Sequence, residues 1–161
     1  MQSGWTILII VLVIAMAVGP VMLMQPSGRQ RRLAKLRQQA ANQGLTVSTG
    51  GWPSKAGKRP TGAMRYSLPW AADDRHHDKL LLVKKDYQHE LHVAGCWQLY
   101  SDQDQVRPST EQFLQSANLP AGVYAMGFDG LGAFVDWSED RSEDLTAVAE
   151  FLLALRASVS G

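Results

Sequence analysis

The sequence predicts an α+β fold, with an N-terminal transmembrane helix followed by a small, mostly antiparallel sheet packed with two helices. Three stretches carry that reading. Trp5 to Met24 is a continuous apolar run with no charge and one hydroxyl, on Thr6. Val123 to Trp137 alternates about Asp129-Gly130, a pair suited to a type I′ hairpin turn. Leu145, Val148, Ala149, Leu152 and Leu155 recur at the spacing of one helix face.

At about 1.5 Å per residue, Trp5 to Met24 would reach roughly 30 Å as a helix, the thickness of a bilayer's hydrocarbon. A helix satisfies its own amides, which lipid cannot do. Trp5 suits the interface. Pro20 cannot donate to the carbonyl of Met16, which predicts a bend at Gly19-Pro20. No Lys or Arg precedes Trp5, and the run is long for a cleaved leader, so it reads as an uncleaved signal-anchor of a single-pass membrane protein. Arg29, Arg31, Arg32, Lys35 and Arg37 follow it, and with Trp5 they are the expected membrane-interface residues. Positive flanks lie inside, which predicts a short extracytoplasmic tail (1–4), the anchor (5–24), a basic juxtamembrane helix or linker (25–44) and a cytoplasmic domain (45–161) at the bacterial inner membrane.

The net charge of +1 conceals a gradient. Residues 1–72 contain nine of the sixteen Lys and Arg and no Asp or Glu, whereas all fifteen acidic residues lie in 73–161. The near half suits an anionic leaflet, and the acidic far half argues against nucleic acid as a partner. Trp52, Trp70, Trp97 and Trp137 supply a core for one small domain. Cys96 is the only cysteine, which excludes an intramolecular disulfide and any multi-cysteine zinc site.

Beyond the anchor, Ser27 and Gln30 have capping-box spacing and open a helix. Leu33, Leu36 and Ala40 form its thin apolar stripe, and Gly44 suits a left-handed cap. Its cations would lie near anionic headgroups, each worth about 1 kcal/mol at the surface. Leu45–Thr49 is the first strand. Residues 50–62 form a loop that fails as a phosphate-binding P-loop: five residues separate Gly51 from Gly57, and Arg59 follows Lys58 where Ser or Thr is needed.

Met64–Leu68, Lys79–Lys84 and Leu91–Tyr100 are three further strands, the second apolar enough to be central. Pro108 begins a short helix, with Ser109 and Gln112 at capping-box spacing and Phe113, Leu114 and Ala117 on its buried side. In the hairpin, a two-residue turn would pair Phe128 with Leu131, Met126 with Ala133 and Tyr124 with Val135 on one side, continued by Trp137. The last helix is capped by Asp140 and Glu143, packs on that aromatic side and frays from Val159.

No set of residues reads as catalytic, and neither a cofactor nor a metal is expected. His76, His77, His89 and His92, with Asp73, Asp74 and Asp78, form a ligand inventory without ligand spacing. Asp136, Glu139, Asp140, Glu143 and Asp144 read as a solvated acidic face or a docking surface for a basic partner. Gly127, Gly130 and Gly132 are in the wrong order for a nucleotide fingerprint.

Across Val21–Leu36 the run Met24-Gln25-Pro26, followed by Arg29-Gln30-Arg31-Arg32, resembles the small accessory subunit of the bacterial Sec translocon. The whole chain also resembles small single-pass inner-membrane proteins of Gram-negative bacteria. An anchor joined to a compact domain with no coherent catalytic set predicts a non-catalytic accessory module of a membrane complex, with the lipid bilayer and another membrane protein as partners. Two alternatives stand beside it: a tethered enzyme or metal-binding domain using residues 73–96, and a module that reads anionic lipid.

Overall fold

In a computed structural model, the chain is described for residues 2–23, 27–52, 58–71, 79–85, 92–100 and 106–160. It divides into two units, 1–34 and 35–161.

The first unit contains α1, Gln2–Leu23, and the start of α2, Gly28–Asn42. Gly19-Pro20 lies inside the helical span. Among the described residues no helix is long and apolar enough to cross a membrane, which corrects the transmembrane, signal-anchor and single-pass reading of Trp5–Met24. The side chains described in α1 run from Gly4 to Met16. What α1 does present is an apolar, exposed surface: Trp5 is 71% exposed, and Ile7 to Ile14 and Met16 are exposed as well. The capping box forms as expected. The Ser27 amide donates to Gln30 Oε1 at 2.8 Å, and the Gln30 amide donates to Ser27 Oγ at 3.3 Å.

In the second unit, α2 buries Leu36 and Ala40 and ends as Gly44 predicts. Gly44 has φ +77°, its amide donates to Ala41 O, and the Leu45 amide donates to Ala40 O, which together satisfy the last carbonyls. The strands are β1 (Thr46–Ser48), β2 (Met64–Pro69), β3 (Leu80–Lys84), β4 (His92–Ala94), β5 (Trp97–Leu99), β6 (Val123–Asp129) and β7 (Gly132–Trp137). They form one sheet in the order β1-β2-β7-β6-β3-β5-β4, with every neighbouring pair antiparallel. The α+β class and the antiparallel sheet therefore hold, and β3 is interior as its apolar run requires.

Two strand readings change. The expected single strand Leu91–Tyr100 is, over residues 92–99, a hairpin: Gly95, at φ +57°, and Cys96 turn the chain between β4 and β5. An L-side chain resists that backbone angle and glycine does not. In the β6–β7 hairpin the register is displaced by two. Phe128 pairs with Ala133 and Met126 with Val135, leaving Gly130-Leu131 as the loop. The reason is Asp129. Its carboxylate accepts from the Leu131 and Gly132 amides at 2.8 and 3.3 Å, so it braces the turn from the strand end. A shift of two preserves side-chain parity, so Met126, Phe128, Ala133 and Val135 still share one buried face. Leu131 leaves it, 83% exposed, and a bulge between Val123 and Ala125 breaks the row at Tyr124.

Two C-terminal helices complete the domain. α3, Pro108–Ser116, starts with Pro108 in its first turn as expected, but Ser109 does not cap it. Its hydroxyl donates instead to Ser158 O at 3.1 Å, which ties α3 to α4. α4, Leu145–Ser160, follows a 3₁₀ turn over Ser142–Asp144 whose cap position is Arg141, and the Arg141 side chain makes no cap hydrogen bond. α4 packs on β7, β2 and α3, with the rings of Phe113 and Phe151 5.6 Å apart. Leu145, Val148, Leu152 and Leu155 are buried as the stripe predicts. Val159 is buried rather than frayed, because Arg107 donates to its carbonyl at 3.0 Å.

Candidate functional site

Arg65 and Tyr66 are neighbours on β2, so they point to opposite faces of the sheet. Each organises a cluster of charges that local sequence does not announce.

On one face Arg65 stands across the ladder from Asp136. Its guanidinium donates to both carboxylate oxygens, Nε to Oδ1 at 3.1 Å and Nη2 to Oδ2 at 2.7 Å. The group also lies 3.9 Å above the Phe134 ring and donates to Gly51 O. This is the fork geometry that Arg supplies and Lys does not. Arg59 adds a second cation 3.7 Å from Asp136 Oδ1 and donates to Thr49 O. Asp136 is 1% exposed, so its charge is balanced inside the protein. Beside it a cavity of about 290 Å³ is lined by Gly51, Arg65, Lys79, Tyr100, Phe128 and Phe134, among others.

On the other face Tyr66 donates its hydroxyl to Glu139 Oε1 at 2.7 Å. Arg37, from α2, donates Nε to Oε1 at 2.8 Å and Nη2 to Oε2 at 2.6 Å. Glu139 is 2% exposed and has φ +58°, a left-handed backbone that costs a non-glycine residue about 1–2 kcal/mol. Trp137 packs edge-on against the Tyr66 ring at 5.4 Å. Burial, and then the hydrogen bond to Glu139, push the Tyr66 phenol far above its ordinary range. Hydrogen bonding to Glu139 also raises Arg37 above its already high value. Each carboxylate oxygen of Glu139 is held by a donor, and Tyr66 keeps its proton. The cluster braces β2, the end of β7 and α2 against one another.

The reading of Asp136 and Glu139 as part of a solvated acidic face is thus corrected, since both are buried counter-ions. Asp140 and Glu143 remain exposed. Among the expected interface residues, Trp5, Arg29, Arg31, Arg32 and Lys35 are exposed, whereas Arg37 is engaged with Glu139 and only 39% exposed. Its place beside Leu36, at the edge of the α2 stripe, is the one local hint of that inward role.

Asp73, Asp74, His76, His77, Asp78 and His89 lie outside the described residues, and of His92 only the backbone is described, in β4. Among the described residues no three His, Cys, Asp or Glu side chains are grouped to hold a metal ion. Cys96 sits half-buried in the β4–β5 turn. No protein-family model, curated protein or solved structure matches the chain.

Proposed function

We propose that this protein is a membrane-associated accessory module: a non-catalytic α+β domain delivered by its N-terminal segment to a membrane complex at the cytoplasmic face of the bacterial inner membrane. The observation that carries the reading is α1. Ile7, Leu8, Ile9, Ile10, Val11, Leu12, Val13 and Ile14 cover every side of the helix and are all exposed. A helix apolar all round takes an apolar surround rather than water, and lipid together with a membrane-protein partner supplies one. The basic start of α2 suits the anionic cytoplasmic leaflet, and the likeness of residues 21–36 to the Sec accessory subunit points the same way.

The test is recovery of the full chain from cells at native expression in mild detergent. A stoichiometric membrane-protein partner is expected to co-purify with it from the membrane fraction. Recovery as a free monomer from the soluble fraction would overturn the proposal. A reporter fused after Gly161 should be active on the cytoplasmic side.

A further inference from the structure

The sheet face that carries Arg65 also carries the cavity of about 290 Å³. Arg65 pairs with Asp136, two residues from Phe134. Phe134 pairs with Gly127, and Gly127 with Leu81. Arg65, Phe134 and Leu81 therefore share one side of the sheet, and Gly127 contributes no side chain between the last two. Tyr100 continues the row, its amide donating to Leu81 O at 2.9 Å. With Gly51 and Lys79 these residues line the cleft, which lies within the unit 35–161. Its volume is near the lower end of the range of about 300–1,000 Å³ for small-molecule sites.

The cleft borders an excess of positive charge. Arg65 gives Nε and Nη2 to Asp136 and Gly51 O, which leaves Nη1 without a hydrogen bond among the described residues. The guanidinium is stacked on Phe134 and its side chain is 14% exposed, so it offers a donor already held in place. Asp136 is shared with Arg59, whose Nε and Nη2 are buried and find no acceptor among the described residues. Two guanidiniums thus stand on one buried carboxylate. Lys79 adds a further cation at the cleft, and Asp129 is the only acidic residue among those that line it. Three cations against two carboxylates leave one positive charge.

We infer that this cleft binds a small aromatic monocarboxylate, with its ring against Phe134, Leu81 and Tyr100 and its carboxylate accepting from Arg65 Nη1 and the Lys79 ammonium. Ring walls favour a planar apolar body. The single leftover charge matches a monoanion, whereas a dianion would bring a second charge with no counterpart. The Nε–Nη2 edge of Arg65 already holds Asp136, so the ligand is met end-on by Nη1 and not by the two-toothed fork. The inference goes beyond the membrane association proposed above and does not depend on it.

The experiment is calorimetric titration of the full chain, in mild detergent, with 2-naphthoate, with the same detergent alone as the blank. Saturable binding of one naphthoate per chain is expected. 2-Naphthamide, of the same shape without the charge, should bind about tenfold more weakly, the difference between a charged and a neutral acceptor. Lys79→Gln should weaken naphthoate about threefold to fivefold, the range of an exposed ion pair, and leave naphthamide unchanged. Leu81→Trp, which fills the cleft, should weaken both probes at least about tenfold by loss of the space itself. If Leu81→Trp does not fold, Lys79→Gln and the amide still decide. Millimolar inorganic phosphate should compete no better than chloride of equal ionic strength. Absence of saturable binding, equal affinity for naphthoate and naphthamide, or undiminished naphthoate binding in Lys79→Gln would overturn the inference. Displacement of naphthoate by phosphate would overturn the assignment to a monocarboxylate. Each of these results leaves the membrane association standing.

Discussion

Arg37 and Glu139 stand 102 residues apart in the sequence and meet through two hydrogen bonds, 2.8 and 2.6 Å long. The pair fastens α2 to the end of β7. Removing the cation leaves a buried carboxylate whose remaining hydrogen bond among the described residues comes from the Tyr66 hydroxyl, at 2.7 Å. A fully buried pair broken in this way costs about 3–5 kcal/mol. Arg37 is two-fifths exposed and water reaches it, so Arg37→Met is expected to cost about 2 kcal/mol in urea unfolding of the full chain. Adding Glu139→Gln to that variant should recover part of the loss. If the double variant is no more stable than Arg37→Met alone, the pair is not what holds this corner.

Tyr66 makes alkaline stability a readout of the same corner. An unfolded chain ionises tyrosine near pH 10. The folded domain holds the Tyr66 proton to higher pH, through burial first and the Glu139 hydrogen bond second. The unfolded state therefore loses its proton first as pH rises. The contribution is full below about pH 10 and is lost as pH climbs beyond it. Unfolding free energy measured from pH 8 to 11 should stay level as far as Tyr66 is concerned and then fall. Tyr66→Phe should flatten that fall and lower the plateau by about 1.5–3 kcal/mol, the value of a hydrogen bond to a charged group. An equally steep alkaline fall in the Phe variant would rule Tyr66 out as its source.

Gly127 and Gly130, three residues apart, should behave oppositely. A methyl group on Gly127 would run into the Leu80 carbonyl across the β6–β3 ladder. Gly130 has nothing within 4 Å of the same position. Overpacking costs about 1–3 kcal/mol, and the upper end applies where the obstacle is backbone. Gly127→Ala should therefore unfold well below the wild type in a thermal scan. Gly130→Ala should stay within about 0.5 kcal/mol of it. Equal effects would mean that the β6–β3 approach is looser than drawn.

Local chemistry was readable wherever it acts over a few residues. Ser27 with Gln30, Gly44 after α2 and Pro108 at the head of α3 all take the positions that their spacing predicts. Parity was readable in β6 and β7, because a period of two survives an even slip in register. The register itself was not, since it depends on Asp129 using its carboxylate to brace the loop. The reversal at Gly95-Cys96 was hidden by an apolar alternation that runs through both short strands. The two buried carboxylates were the least legible. Asp136 and Glu139 sit in a run of acids that looks solvated, and their partners Arg65 and Arg37 lie 71 and 102 residues away. Only the tertiary fold brings such pairs together.

The strand order also constrains the timetable of synthesis. β2 borders β1 on one side and β7 on the other, while β3 borders β6. When a ribosome has made the first hundred residues, β1–β2 and β3–β5 exist as separate ribbons with no edge in common. They join only when residues 123–137 slot between them, a closure spanning over half of the chain. Sheets dominated by such distant pairings assemble slowly and leave open edges while they wait. A nascent chain of this kind depends on its last third for its first stable core, and a stop codon before Val123 would leave two unjoined ribbons open to aggregation.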